Sequence, residues 1–203
     1  IFIITSEYIK PLFSNILIKK IACMFILTYS LFGSSKLFER IQAELDWGKA
    51  STLALCKSYN ETLPTYERLE KMFVSNPYFL YNYAAVLQEM KQYTESLEVA
   101  LKCRQYWADY DLELVIGEIY QQLNKLKLAE KYYNSASMMC PSRFLPLYKL
   151  FHLYKTNGEK ERSLAMAEAV ISKPMKIKTT TIRMMKREME REIQKMNMSI
   201  KLE

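Results

Sequence analysis

Glycine and proline are scarce in this chain, four and six among 203 residues. So few breakers leave little material for turn-rich β architecture, and the abundant Leu, Met, Glu, Lys and Ala favour helix throughout. Histidine occurs once, at His152, with no carboxylate or nucleophile paired to it in visible register, so a catalytic base is not expected there. The four cysteines, Cys23, Cys56, Cys103 and Cys140, contain no CxxC pair and have no histidine cluster beside them. That argues against a zinc site or a disulfide framework and reads as buried thiols, Cys103 and Cys140 near helix ends. No catalytic constellation, metal or cofactor is therefore expected. The net charge of +7 is concentrated at one end: from Lys173 onward nine Lys or Arg face four Glu, while the central segment is nearly balanced. A nucleic-acid footprint over the whole surface is not expected.

What the chain does have is one long apolar run. Ile21 to Phe32 carries no charge and lies between Lys19-Lys20 and Lys36. Fifteen residues separate Lys20 from Lys36, short of the roughly 20 that span a bilayer, though Ile16 to Ile18 and snorkelling lysines lengthen the segment. We read 16–36 as a transmembrane helix. A signal peptide ending at Gly33-Ser34-Ser35 and a soluble core helix are the competing readings, and a second apolar patch at Ile1 to Ile4 speaks against the signal peptide. Lys10, Lys19 and Lys20 precede the run while Lys36, Arg40 and Lys49 follow it, a faint preference for a cytoplasmic N-terminal side. The chain opens on Ile1 rather than Met, as expected of a piece of a longer protein.

Beyond Leu37 a pattern of small and aromatic residues repeats. Gly117, Tyr120, Ala129, Tyr133, Ala136 and Pro141 form one copy. Phe151, Tyr154, Ser163 and Ala167 continue it 34 or so positions on, and Ala84, Leu87 and Ser96 precede it by 33. A period of this length marks stacked helix pairs, with small residues at close crossings. The pattern predicts pairs at 78–106, 111–139 and 144–172, a degenerate pair at 37–75 with Pro64 in the first turn of its second helix, and short inner turns at 91–92, 124–125 and 157–158. Ile182, Met185, Met189, Ile193, Met196 and Ile200 then form the apolar stripe of a single helix over about 179–198. Three readings fit its basic flanks: a cap on the last pair, a face for anionic headgroups, or a partner helix. The expected architecture is an all-α right-handed superhelical solenoid, divided into a membrane-proximal segment 1–36 and a repeat domain 37–203.

The copy from Tyr110 to Pro141 resembles the tetratricopeptide repeat (TPR), with Gly117, Tyr120, Ala129, Tyr133, Ala136 and Pro141 at that repeat's eighth, eleventh, twentieth, twenty-fourth, twenty-seventh and thirty-second positions. In the next copy Phe151 replaces the glycine, which puts the close helix approach in question there. A narrower resemblance joins the apolar segment, Trp47-Gly48-Lys49-Ala50, Asn76 to Ala84, Ala129 to Tyr133, Met139 to Tyr148 and Pro174 to Lys178. Together these are similar to the C-terminal end of the O-antigen ligase and polymerase family of Bacteroidetes-type bacteria. That resemblance implies a bacterial inner-membrane protein of polysaccharide biosynthesis with its repeat domain outside the cytoplasm, the catalytic membrane part lying upstream; a cytoplasmic location is the alternative.

The repeat resemblance also implies a concave groove lined by the first helix of each pair. It selects Tyr78, Tyr81, Gln88, Glu118, Gln121, Tyr148, His152 and Lys155 as binding positions, with Glu89, Asp111 and Gln122 beside them. Tyrosines among amides and carboxylates suit an extended peptide, a protein partner or a glycan. A solvated inner face with some tyrosines packed on neighbours is the competing reading. Tyr148, near Arg143 and His152, is the expected anchor. Arg143 itself is expected to pair with a helix-end carbonyl or a glutamate, Met138 and Met139 to fill gaps in the core, and Tyr120, Tyr133 and Tyr154 to pack.

Overall fold

The computed structural model describes residues 16–177 and 179–200; the Ile1 to Ile4 patch, Lys10 and Lys178 lie outside the described residues. Among these residues there are nine helices and no strand: α1 Ile16–Leu55, α2 Tyr59–Leu69, α3 Pro77–Glu89, α4 Tyr93–Arg104, α5 Tyr110–Gln122, α6 Leu126–Met139, α7 Leu145–Thr156, α8 Lys160–Ser172 and α9 Thr180–Ile200. The C-terminal part of α1 pairs with α2, and α3–α4, α5–α6 and α7–α8 follow as stacked pairs. They form an all-α right-handed superhelical stack, closed by α9 against α8.

Helix starts follow from side chains that satisfy free backbone donors. Asn76 accepts from the amides of Tyr78 (3.0 Å) and Phe79 (3.2 Å) at the start of α3, with Pro77 in the first position. Asp109 accepts from Asp111 N (2.8 Å) at the start of α5. The inner turns share one geometry. Lys57, Lys91, Asn124 and Gly158 adopt positive φ (63°, 61°, 56° and 76°). In each case the next amide reaches back five residues: Ser58 to Leu53, Gln92 to Leu87, Lys125 to Tyr120 and Glu159 to Tyr154. This is the Schellman closure, which uses up carbonyls that the helix end leaves free. Because the first turn is this tight, α2 begins at Tyr59, so Pro64 is its sixth residue rather than lying in the first turn.

Small residues meet at the crossings as the spacing predicts. Ala84, Ser96, Ala129, Ala136, Ser163 and Ala167 are fully buried, and Ser96 Oγ donates to the Ala84 carbonyl at 2.7 Å. Tyr120, Tyr133 and Tyr154 are buried. Phe151 does not prevent the last pair from forming. Its ring enters a second cluster with Phe144, Ala167, Val170 and Met189, against which Ile182, Met185, Ile193 and Met196 pack. Met189 is fully buried, and Lys186 Nζ donates to the carbonyls of Ile171 and Lys173, both at 2.6 Å, at the end of α8. Of the thiols Cys103 is buried, Cys140 half-buried, and Cys23 and Cys56 exposed, contrary to the expectation for the last two. Met138 and Met139, expected to fill gaps in the core, are exposed as well, at the C-terminal end of α6.

Residue 36, where the sequence reading divides the membrane-proximal segment from the repeat domain, lies inside a helix. One 40-residue helix runs from the apolar segment into the first pair. Ser34 and Ser35 donate to the carbonyls of Leu31 and Phe32, so the small residues at 33–35 stay helical. At the C-terminal part, Ala43 and Ala50 are buried, and Trp47 meets Phe73 (5.4 Å) and Phe79 (5.7 Å). At the other end, Met24, Phe25, Ile26, Leu27, Leu31 and Phe32 are all exposed.

Candidate functional site: the inner face of three helix pairs

Three successive inner helices, α3, α5 and α7, send Gln88, Glu118, Gln121, Gln122, Tyr148, Lys149 and His152 into one pocket of about 290 Å³. Positions that are a repeat apart in sequence thereby converge. Glu118 is the hub: Gln88 Nε2 donates to it from α3 at 3.2 Å, and Lys149 Nζ meets it from α7 at 2.7 Å. Gln121 accepts from the buried Tyr133 hydroxyl at 2.8 Å, which fixes one face of its amide. Burial, with the Glu118 charge as the lesser cause, raises the Tyr133 phenol far above its ordinary range.

The third helix meets the pocket and α9 together. Tyr148 donates its hydroxyl to Glu188 at 2.8 Å, and its ring stands edge-on to His152 at 4.5 Å. Burial first and Glu188 second push the Tyr148 phenol up to about 12. His152 Nε2 is buried 3.3 Å from a Glu188 oxygen without hydrogen-bonding geometry. Burial lowers its pKa, Lys155 and Lys149 act in the same direction, and Glu188 and Glu192 oppose them. Lys155 pairs with Glu192 and lies outside the pocket. Helix α9 thus stands where the first helix of a further pair would stand, and its carboxylates meet the inner-face side chains of α7.

Five of the eight residues expected in the groove therefore share the pocket: Gln88, Glu118, Gln121, Tyr148 and His152. Tyr78 and Tyr81 are placed at another part of the inner helices, against Trp107, at ring separations of 5.5 and 5.8 Å. Arg143 lies outside the pocket that Tyr148 lines. Among the described residues its guanidinium lies over the Tyr110 ring at 5.9 Å rather than on a carbonyl or glutamate. Sequence reasoning missed Lys149 and Trp107. Lys149 stands one position beyond Tyr148 and reaches sideways to Glu118, and Trp107 arrives from a connection between helices.

The arrangement offers amide and carboxylate groups with one cation, on rigid helices, beside aromatic surface. Such a set can hydrogen-bond an extended chain. Among the described residues no group of three or more His, Cys, Asp or Glu could hold a metal.

No family model and no curated protein matches this chain. Solved structures do. MamA from Desulfovibrio magneticus RS-1 superposes with a TM-score of 0.58 at 18% identity, covering 72% of this chain and 76% of that one. TTC0263, a thermophilic TPR protein of Thermus thermophilus, gives 0.58 at 17% identity, covering 74% and 82%. YrrB, described as a TPR protein with an unusual peptide-binding site, gives 0.55 at 18% identity, covering 63% and 66%. At these identities the likeness concerns architecture, and the fold of this chain is the tetratricopeptide-repeat superhelix.

Proposed function

We propose that residues 37–203 are a non-catalytic docking module whose inner face takes a protein or peptide segment, held at a membrane by residues 16–36. The observation that carries the docking reading is the pocket, in which polar side chains of three separate helices converge. The likeness to YrrB agrees with it. The membrane reading is supported by an apolar stretch of α1 with mean hydropathy 1.5, none of it buried. In this reading the chain is the C-terminal part of an O-antigen ligase- or polymerase-like inner-membrane protein, with the repeat domain outside the cytoplasm, and the module positions a partner or the growing glycan for the enzyme. A stand-alone TPR scaffold is the second reading, favoured by the same pocket without the upstream enzyme.

Two experiments test these statements. Peptides selected from a random library on the full chain in detergent should lose affinity in Gln121→Ala and Tyr148→Ala but keep it in Lys131→Ala, an exposed position on α6. Equal loss in all three variants overturns the docking reading. Ten or more apolar spans upstream in the reading frame support the ligase assignment, and a start codon just before Ile1 overturns it in favour of the scaffold. Loss of membrane association is expected when Leu27→Arg and Phe32→Arg are combined; an unchanged membrane fraction overturns the anchor.

A further inference from the structure

Tyr78, Tyr81 and Trp107 stand apart from the pocket. The two tyrosines project from α3, and the indole rises between α4 and α5 to meet them at interplanar angles of 45° and 76°. The three planes therefore form a corner rather than a stack. Tyr78 remains 64% exposed, so the corner is open to solvent.

Open aromatic faces accept several guests, and the surrounding charge discriminates among them. Burial raises the Tyr81 phenol, and the carboxylates of Asp111, Asp109 and Glu118 raise it further, which places negative charge beside the corner. Asp111 is exposed and has no ion-pair partner among the described residues. Lys149 is paired with Glu118 and Arg104 with Glu113, and the Arg143 guanidinium lies over the Tyr110 ring at 5.9 Å. The face of an aromatic ring is negative, so rings beside unpaired carboxylates attract a cation. An acidic or phosphorylated segment would meet like charge. A neutral sugar would gain stacking and leave the carboxylates unused.

We propose that Tyr78, Tyr81 and Trp107, flanked by Asp109 and Asp111, form a subsite for an arginine or lysine side chain of a bound peptide. The proposal rests on the docking reading above and specifies the chemistry of one end of that surface. Arginine is the better guest, because a planar guanidinium stacks on the indole while its edge donors reach a carboxylate.

The test uses the full chain in a polyoxyethylene detergent, which brings no sugar. The Trp107 indole N–H resonance, identified with W107F, is followed during titration with acetyl-Gly-Arg-Gly-amide, its glutamine counterpart, or maltotriose. The arginine tripeptide should shift the resonance saturably and bind about tenfold more tightly than the glutamine one. Asp111→Asn, an exposed change that leaves the core intact, should weaken the arginine response roughly threefold and reduce its salt dependence. No shift, equal shifts by both tripeptides, or a shift by maltotriose alone overturns the subsite. Failure of the two ideas is separable through the Gln121 side-chain amide, observed with the library-selected peptides. A response at Gln121 with Trp107 silent overturns the subsite and leaves the docking reading standing. An arginine response at Trp107, with selected peptides indifferent to Gln121→Ala and Tyr148→Ala, supports the subsite and overturns the pocket's role.

Discussion

Position 117 admits only a hydrogen atom. A Cβ built there would lie 2.6 and 2.7 Å from Cε1 and Cδ1 of Tyr133. The ring has nowhere to go, since Tyr133 is fully buried and its hydroxyl is held by Gln121. Alanine in place of a mid-helix glycine gains about 1 kcal/mol of helix propensity, but the overlap costs about 1–3 kcal/mol and more where backbone must shift. Gly117→Ala should therefore lower the midpoint of thermal unfolding; an unchanged or higher midpoint would refute the contact. That a small residue stands at the crossing at Gly117 and that Tyr133 packs were legible, because both occupy diagnostic positions of one repeat; that the two meet was not. The hold of Tyr133 on Gln121 was not, because it needs the side-chain direction and not the spacing alone. A second residue-level consequence concerns pH. His152 has its pKa lowered from an ordinary 6.5, so between the two values the native state binds fewer protons than the unfolded chain. Its contribution is complete above 6.5 and is lost as pH falls through that window. Glu192 is lowered from 4.5 by Lys155 and Lys195, so its contribution is complete above 4.5 and fades below. Thermal melts should show two successive declines on acidification, the first reduced by His152→Gln and the second by Glu192→Gln. A single decline insensitive to both changes would contradict this assignment.

Among the elements, α9 shows most clearly what periodicity can and cannot supply. Its apolar stripe was legible from three- and four-residue steps, and the cap was one of three readings. Which residues it would meet was not legible, since Tyr148–Glu188 and Lys155–Glu192 contacts join positions 40 and 37 apart. The fully buried Met189 makes the cap measurable. Met189→Ala should cost about 2–5 kcal/mol, whereas Met184→Ala on the exposed side should stay within about 0.5 kcal/mol. Urea midpoints for the two variants check this, and equal midpoints would mean that α9 does not close the second cluster. The turns divide in the same way. Gly158 and Asn124 signal a left-handed residue by their type, but Lys57 and Lys91 occupy the same conformation without any such signal. The length of α1 was not legible either: Gly33-Ser34-Ser35 entered only as a cleavage region of the competing signal-peptide reading, whereas the serines satisfy their hydroxyls on the preceding turn of one continuous helix.

At the scale of the whole molecule, each pair touches mainly the next, so stability is a sum of neighbour contacts. The pocket and the aromatic corner are carried on this stack, and the stack is carried on α1. Native thiols report on that arrangement, because Cys23 and Cys56 are exposed while burial pushes Cys103 up to about 11. Spin labels on Cys23 and Cys56 in a Cys140→Ser background should give one narrow distance of roughly 50 Å, from the rise of an uninterrupted helix. Inserting Gly-Ser-Gly-Ser after Lys36 should broaden it; a broad distribution in the native chain would mean that the helix breaks there. Forty helical residues make a rod about 60 Å long. Such a rod is a lever without a swivel. A tilt of about 10° at one end carries the other end sideways by about 10 Å, and the inner face turns through the same angle. Orientation of the inner face is thus inherited from the attitude of the apolar segment, and a change of tilt would aim the pocket at a different place without altering a single contact within it.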